Sequence, residues 1–274
     1  MDRRLTPYSG EVALESLRGT VNAARFTTGT PARVTAPVVD VMSAAGSEQA
    51  KRDRQLLFGA EVLRVDQRGA FDYVQSKADG YCGWVRSAAL GATSIATHRV
   101  SAPSTHIYTA PDFKSPDRVS LSLGSRVTVI GITGQFAEIE EGWIPLQHLS
   151  DQPAADPVAV SESLIGTPYL WGGNSRFGID CSGLVQIGMQ AAGRSCPADS
   201  DLQRAAFPAA EGPPKRGDLM FWRGHVAWVA DDARILHANS TYMCVMYEGI
   251  DAAKARIEAQ GDGPFLGLHR PETG

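Results

Sequence analysis

The spacing of apolar positions changes character along the chain. From about Pro31 to Ser150 they fall in short alternating runs, such as ARVTAPVVDVM, QLLFGAEVLRVDQ and VSLSLGSRVTVIGITGQFAEI, separated by glycine and aspartate turns. No helical period of any length occurs there, and the pattern predicts small barrels of antiparallel strands. From Ser182 onward Leu184, Val185, Ile187, Gly188, Met189, Ala191 and Ala192 follow helical spacing, with Gly193 as a natural stop. Beyond it, apolar runs from Val226 to Ala230 and through Ile235 and Leu236 flank Asp231–Asp232 and predict a hairpin. The fold class expected from these elements is α+β.

The β-rich part reads as an internal repeat. Each half carries an apolar-Gly-x-x-Val step, at Phe58, Gly59 and Val62 and again at Leu123, Gly124 and Val127. Each ends in Gly-Trp-apolar, at Gly83, Trp84 and Val85 and at Gly142, Trp143 and Ile144. The expected division is an arm over 1–30, one barrel over 31–92, a second over 93–150 and a separate domain over 151–274. The stretch DQPAADP, Asp151 to Pro157, is the linker. The arm carries no recognisable motif and is expected to pack on the last domain.

Chemistry concentrates in that last domain. Cys181 sits between Asp180 and Ser182 at the start of the helical run, after a loop rich in glycine and aromatics. At a helix N-terminus, unpaired N–H groups and the positive end of the dipole favour thiolate over thiol, so the position suits a nucleophile. A thiolate needs a base. His225 and His237 flank the predicted hairpin, and folding it about its turn sets the two rings opposite or diagonal on neighbouring strands. One histidine would share the cysteine proton while the other fixes its tautomer and orientation.

The motifs PYLWGG, DCSGLV, GDLMFW and HVAWVADDARILHA, in that order, resemble the NlpC/P60 cysteine peptidases, whose catalytic domain is a permuted papain-like fold. The resemblance covers the chain from about Ala155 onward. It implies Cys181 as nucleophile, His225 as general base and His237 as the orienting residue. It also places Tyr169, twelve residues before the cysteine, as a donor to the substrate carbonyl. The hydroxyl would form an oxyanion hole with the Cys181 backbone N–H. The two repeats resemble bacterial SH3 domains, and this module order resembles the dipeptidyl-peptidase VI type of murein-peptide hydrolase, the γ-D-glutamyl-L-diamino acid endopeptidases. That type implies cleavage of stem peptides with a free N-terminal L-Ala, releasing L-Ala-D-Glu. Asp180, Ser182, Tyr81 and Glu61 would bind the substrate ammonium, with Asp72 the next candidate should Glu61 point away. Asp180 and Ser182 equally suit a helix-capping pair.

Composition narrows the field. With 26 basic against 30 acidic residues the net charge is −4, and no cluster of Lys and Arg invites nucleic acid or an anionic membrane. Neither partner is expected, and oligomeric state is left open. The four cysteines show no CxxC, which fits reduced thiols better than a disulfide frame or zinc site. No metal or cofactor is implied. The charged start MDRRLTPYSG lacks a signal-peptide core, so a cytoplasmic enzyme of wall-peptide recycling is expected. Two rival readings are an exported hydrolase of intact wall, anchored by its SH3-like domains, and a non-catalytic wall-fragment-binding protein.

Overall fold

The computed structural model describes residues 1–261 and 263–271 and divides the chain into two compact units, Met1–Asp151 and Gln152–Gly274. In the first unit, a sheet of seven strands runs in the order Arg52–Leu57, Val38–Met42, Cys82–Arg86, Phe71–Ser76, Glu61–Arg68, Thr30–Val34 and Leu90–Gly91. The second repeat builds a five-stranded sheet from Asp117–Ser122, Ser104–Tyr108, Gly142–Pro145, Phe136–Ile139 and Gly131–Thr133. A three-stranded sheet is centred on His98–Val100. The repeat extends to detail. The strand containing each Gly-Trp step leads into a single 3-10 turn, Ser87–Ala89 in one copy and Leu146–His148 in the other.

The two barrels are not independent. Phe58, which opens the repeat motif in the first copy, is buried in the core of the second with Val100, Ile107, Leu121, Val127, Ile139 and Ile144. Its carbonyl accepts from Arg126 N–H at 2.9 Å. Gly59, at φ +78°, lies so close that a Cβ there would stand 2.1 Å from the Arg126 carbonyl oxygen. Arg33 adds ion pairs to Glu140 and Glu141.

The first thirty residues differ from expectation. Val12–Leu14 and Arg25–Thr27 pair as parallel strands, and Val12 and Leu14 enter a core with Val65, Tyr73, Cys82 and Trp84 of the first barrel. Cys82 N–H donates to Arg4 C=O, and Arg3 pairs with Asp53. The arm therefore completes the first barrel, because the alternation in EVALES supplies apolar residues that cover the open side of its sheet.

In the second unit five antiparallel strands run in the order Cys244–Gly249, Arg234–Asn239, His225–Val229, Leu219–Trp222 and Gly267–His269. Helix α1 (Pro157–Glu162) is capped by Asp156, and α2 spans Cys181–Ala191, α3 Ser200–Ala206 and α4 Ile250–Ala259. Alternate strand residues Met220, Trp222, Ala227, Val229 and Ile235 form a core with Ile250, Ala253 and Ile257 of α4. Trp228, between two of them, donates its indole N–H to Ser161 of α1 at 3.0 Å, and Ser161 in turn donates to Leu184 C=O of α2. Helix α2 is buried along almost its whole length. Gly188 allows the close approach of α1, since a Cβ there would meet Pro157 O at 2.5 Å. The site helix is thus locked to the sheet through a buried polar joint.

Asp218, at the start of the Leu219–Trp222 strand, is structural. It receives two hydrogen bonds from Arg270, both 2.7 Å, and one from Lys215 N–H. Among the described residues no helix is long and apolar enough to cross a membrane.

The shared core of the barrels makes a measurable claim. Phe58→Ala removes an aromatic that seals the second barrel, and truncations of this kind cost about 3–5 kcal/mol. Denaturant titration of the variant should show that loss; a change near zero would mean that Phe58 does not tie the repeats together.

Candidate active site

The loop before α2 is shaped by backbone pairing. Asn174–Ser175 and Gly178–Ile179 form a two-strand clip, Tyr169 bridges to Ile179, and Tyr169 N–H donates to Met243 C=O at 2.9 Å. Met243 adopts φ +54°, unusual for a residue with a side chain, in the turn that joins Arg234–Asn239 to the edge strand Cys244–Gly249. Asp180 then ties loop to helix. Its Oδ1 accepts from Gly183 N–H at 2.7 Å and from the Ser182 hydroxyl at 3.0 Å, and its Oδ2 accepts from Gly172 N–H at 2.9 Å. Gly183 must lack a side chain because a Cβ would stand 2.5 Å from Gly173 O. This arrangement is an N-cap, and it leaves the Cys181 N–H in the first helical turn, where it has no intrahelical acceptor.

Cys181 is 7% exposed. Its Sγ lies 3.9 Å from Gly224 C=O and accepts from Val226 N–H, so the sulfur rests against the backbone on both sides of His225. The hairpin brings the rings together as the hydrophobic pattern predicts. Trp228 pairs with Leu236, and that register continued sets His225 diagonal to His237. His225 Nε2 and His237 Nδ1 are 2.9 Å apart. His237 is fully buried, and its Nε2 lies 3.1 Å from both Asn239 Nδ2 and Glu248 Oε2. Glu248 is gripped by Arg256 through bonds of 2.9 and 2.7 Å.

The electrostatics correct the expected resting state. Burial, with a further contribution from the Asp180 charge, pushes the Cys181 thiol up to about 12, although the N–H groups of Val226, Ser182 and Cys181 pull the other way. The helix start lowers the cost of the thiolate without overcoming desolvation. Burial also pushes His225 down to about 3, helped by its neighbours His237 and Arg256 and opposed by Glu248. Burial thus favours the neutral form of each group. Burial, with the Asp180 charge adding to it, also holds the Tyr169 phenol well above its ordinary range, which keeps its O–H as a donor.

Two regions of the chain match known families. Residues 166–256 match the NlpC/P60 family, and residues 42–90 match the bacterial dipeptidyl-peptidase Sh3 domain. The second unit carries an NlpC/P60 cysteine peptidase domain. The γ-D-glutamyl-L-lysine dipeptidyl-peptidase of Bacillus subtilis (strain 168) is 29% identical over 217 residues, covering 68% of this chain and 72% of that one. A protein of the same name from Bacillus cereus is 26% identical over 227 residues, covering 69% and 67%. The crystal structure of an NlpC/P60 family protein from Bacillus cereus aligns with a TM-score of 0.75 at 20% identity, over 88% of this chain and 99% of that one, a likeness of fold.

Within the NlpC/P60 domain, Cys181, His225, His237 and Tyr169 come together in the second unit. Asp180 and Ser182 serve the helix cap, and burial pushes the Asp180 carboxyl up to about 6. Tyr81 and Glu61 belong to the first unit. Tyr81 is 3% exposed with the Arg54 guanidinium over its ring, and Glu61 is a half-buried strand carboxylate paired with Lys77 at 3.1 Å. Asp72, the alternative to Glu61, is buried and held by Arg64. Glu248, Asn239 and Arg256 are site residues that the sequence reading missed. Glu248 lies on the strand after His237, where only the pairing of His237 with Met246 shows that it shares the same face. Among the described residues no group of three or more His, Cys, Asp or Glu side chains is placed to hold a metal ion.

These residue types suit acyl transfer with the proton moving as the bond forms. Were the sulfur to attack a carbonyl carbon, the thiol proton would pass to the free nitrogen of His225, and the Cys181 N–H and the Tyr169 hydroxyl would be the candidate oxyanion donors. The imidazolium would then protonate the leaving amine as the C–N bond breaks, leaving a thioester. Water attacking it would give a proton to His225, and the thiol would be restored. A neutral resting pair predicts that the rate of Cys181 alkylation by iodoacetamide keeps rising with pH through the alkaline range. A plateau from acid to neutral pH would reveal a pre-formed thiolate–imidazolium pair and contradict this assignment.

Proposed function

We propose that the protein hydrolyses the γ-D-glutamyl bond to the diamino acid of murein stem peptides that carry a free N-terminal L-Ala, releasing L-Ala-D-Glu. The observation that carries this reading is the conjunction of the His225–His237 pair, beside whose first member the Cys181 sulfur lies at 3.9 Å from Gly224 C=O, with two relatives, each covering about two thirds or more of both lengths, that are named γ-D-glutamyl-L-lysine dipeptidyl-peptidases. The match of residues 42–90 to a domain described by its occurrence in dipeptidyl-peptidases supports it further.

A peptidase that releases a dipeptide must recognise the chain start, and an ammonium group calls for close oxygen acceptors. Asp180 and Ser182 flank the nucleophile and can serve both as cap and as acceptors, because each carboxylate oxygen has more than one lone pair. The action on free peptides makes this an enzyme of wall-peptide recycling, acting in the cytoplasm.

Mass spectrometry after incubation with L-Ala-γ-D-Glu-meso-diaminopimelate, its L-lysine counterpart and their N-acetylated forms tests the proposal. Cleavage of the free-amine peptides, with the acetylated ones slower by at least about 10²-fold, is expected, since a buried acceptor left without its charged partner costs a few kcal/mol. Equal cleavage of both forms, or release of peptides from purified sacculi, would overturn the free-amine reading and favour a hydrolase of intact wall.

A further inference from the structure

His237 Nε2 faces two neighbours with opposite demands. Asn239 Nδ2 is an N–H donor at 3.1 Å and would have the ring nitrogen accept. The Asn239 amide cannot turn over freely, because its Oδ1 accepts from Tyr242 N–H at 2.9 Å. Glu248 Oε2, also at 3.1 Å, is an acceptor and would have the same nitrogen carry a proton. One nitrogen cannot satisfy both.

The choice decides whether the peptidase works. If Nε2 of His237 is protonated, its Nδ1 holds a lone pair and accepts from His225 Nε2–H across the 2.9 Å bond. His225 Nδ1 is then a lone pair, free to take the Cys181 proton. If instead His237 accepts from Asn239, its Nδ1 carries the proton and donates to His225 Nε2. His225 then holds its own proton on Nδ1 and has no free nitrogen to serve as a base.

We propose that Glu248, held by Arg256, is the positioning residue that fixes the His237 tautomer and so keeps the catalytic base His225 competent. A hydrogen bond to a carboxylate is roughly twice as strong as one between neutral partners, so at equal distance Glu248 outcompetes Asn239. Glu248 is held as an anion by Arg256, whose two bonds keep its carboxyl down at about 2. His237 itself stays neutral, because burial lowers its affinity for a proton. Its single ring proton is thus placed by the carboxylate. Arg256 also donates to Thr241 Oγ1 at 3.0 Å, in the turn that carries Met243, whose carbonyl holds the backbone of Tyr169. The same cation therefore braces the far end of the histidine chain and the turn behind the oxyanion donor.

The inference rests on the Cys–His peptidase site and not on the choice of substrate. Its test begins with the unmodified protein. Nitrogen-15 NMR of the histidine side chains should show His237 protonated on Nε2 and bare on Nδ1; the opposite assignment overturns the proposal whatever the variants do. In Glu248→Gln, Arg256 claims the amide oxygen and the amide N–H₂ is left facing His237, which favours the wrong tautomer. The expected result is a fall in kcat of about 10²-fold with KM changed little, accompanied by a shift of the His237 proton to Nδ1. Unchanged kcat in the folded variant overturns the proposal, as does a fall in kcat with the tautomer retained. Should the parent protein fail to cleave the stem peptides, the substrate reading is lost, while the tautomer measurement still decides this one.

Discussion

The joint on which the catalytic unit depends is the Asp180 carboxylate. It reaches back to Gly172 in the loop and forward to Ser182 and Gly183 in α2, so the aromatic loop and the nucleophile helix cannot move separately. The nucleophile and the loop beside it are placed by it. The cap leaves the Cys181 N–H without a helical partner, as an oxyanion donor must be. The loop it anchors carries Tyr169, whose backbone is bonded to the turn at Met243. The buried Ser161 hydroxyl completes the arrangement by joining α1, α2 and Trp228, which holds the helix against the hairpin that carries both histidines.

Burial sets the electrostatic character of this site. A helix N-terminus typically favours a negative charge by about 0.3–1 kcal/mol, up to ~2 in partly buried geometries, whereas desolvation of a buried thiolate shifts its pKa by several units in the opposite direction. Burial consequently favours the uncharged forms of Cys181 and His225 before substrate reacts. The imidazolium formed then is short-lived by construction, which favours return of its proton to the leaving amine. Its stabilisation comes from Glu248, whose charge acts on His225 from beyond the second ring.

Much of this was legible in the chain. Helical spacing after Ser182 located the nucleophile helix, strand alternation around Asp231–Asp232 brought His225 and His237 together, and the paired Gly-Trp steps gave away the two barrels. Local periodicity carries such information because each signal lies within one element or one hairpin. What it could not carry were contacts set by register between elements. Glu248 reads as an ordinary strand charge until its strand is paired with that of His237. Phe58 reads as a residue of its own barrel, yet it is buried in the core of the next. The opposing effect of burial on the thiol is hidden for a related reason: helix position is visible in sequence, but the depth of burial is a property of the folded unit.

The proposed reaction requires Cys181 to be a nucleophile that forms a covalent acyl-enzyme. Acid quenching during turnover of L-Ala-γ-D-Glu-L-Lys, followed by peptide mass analysis, would trap that species. The expected result is an L-Ala-γ-D-Glu adduct on the peptide that contains Cys181, lost on treatment with hydroxylamine and absent in Cys181→Ala. An adduct on another residue, or sustained turnover by Cys181→Ala, would contradict it.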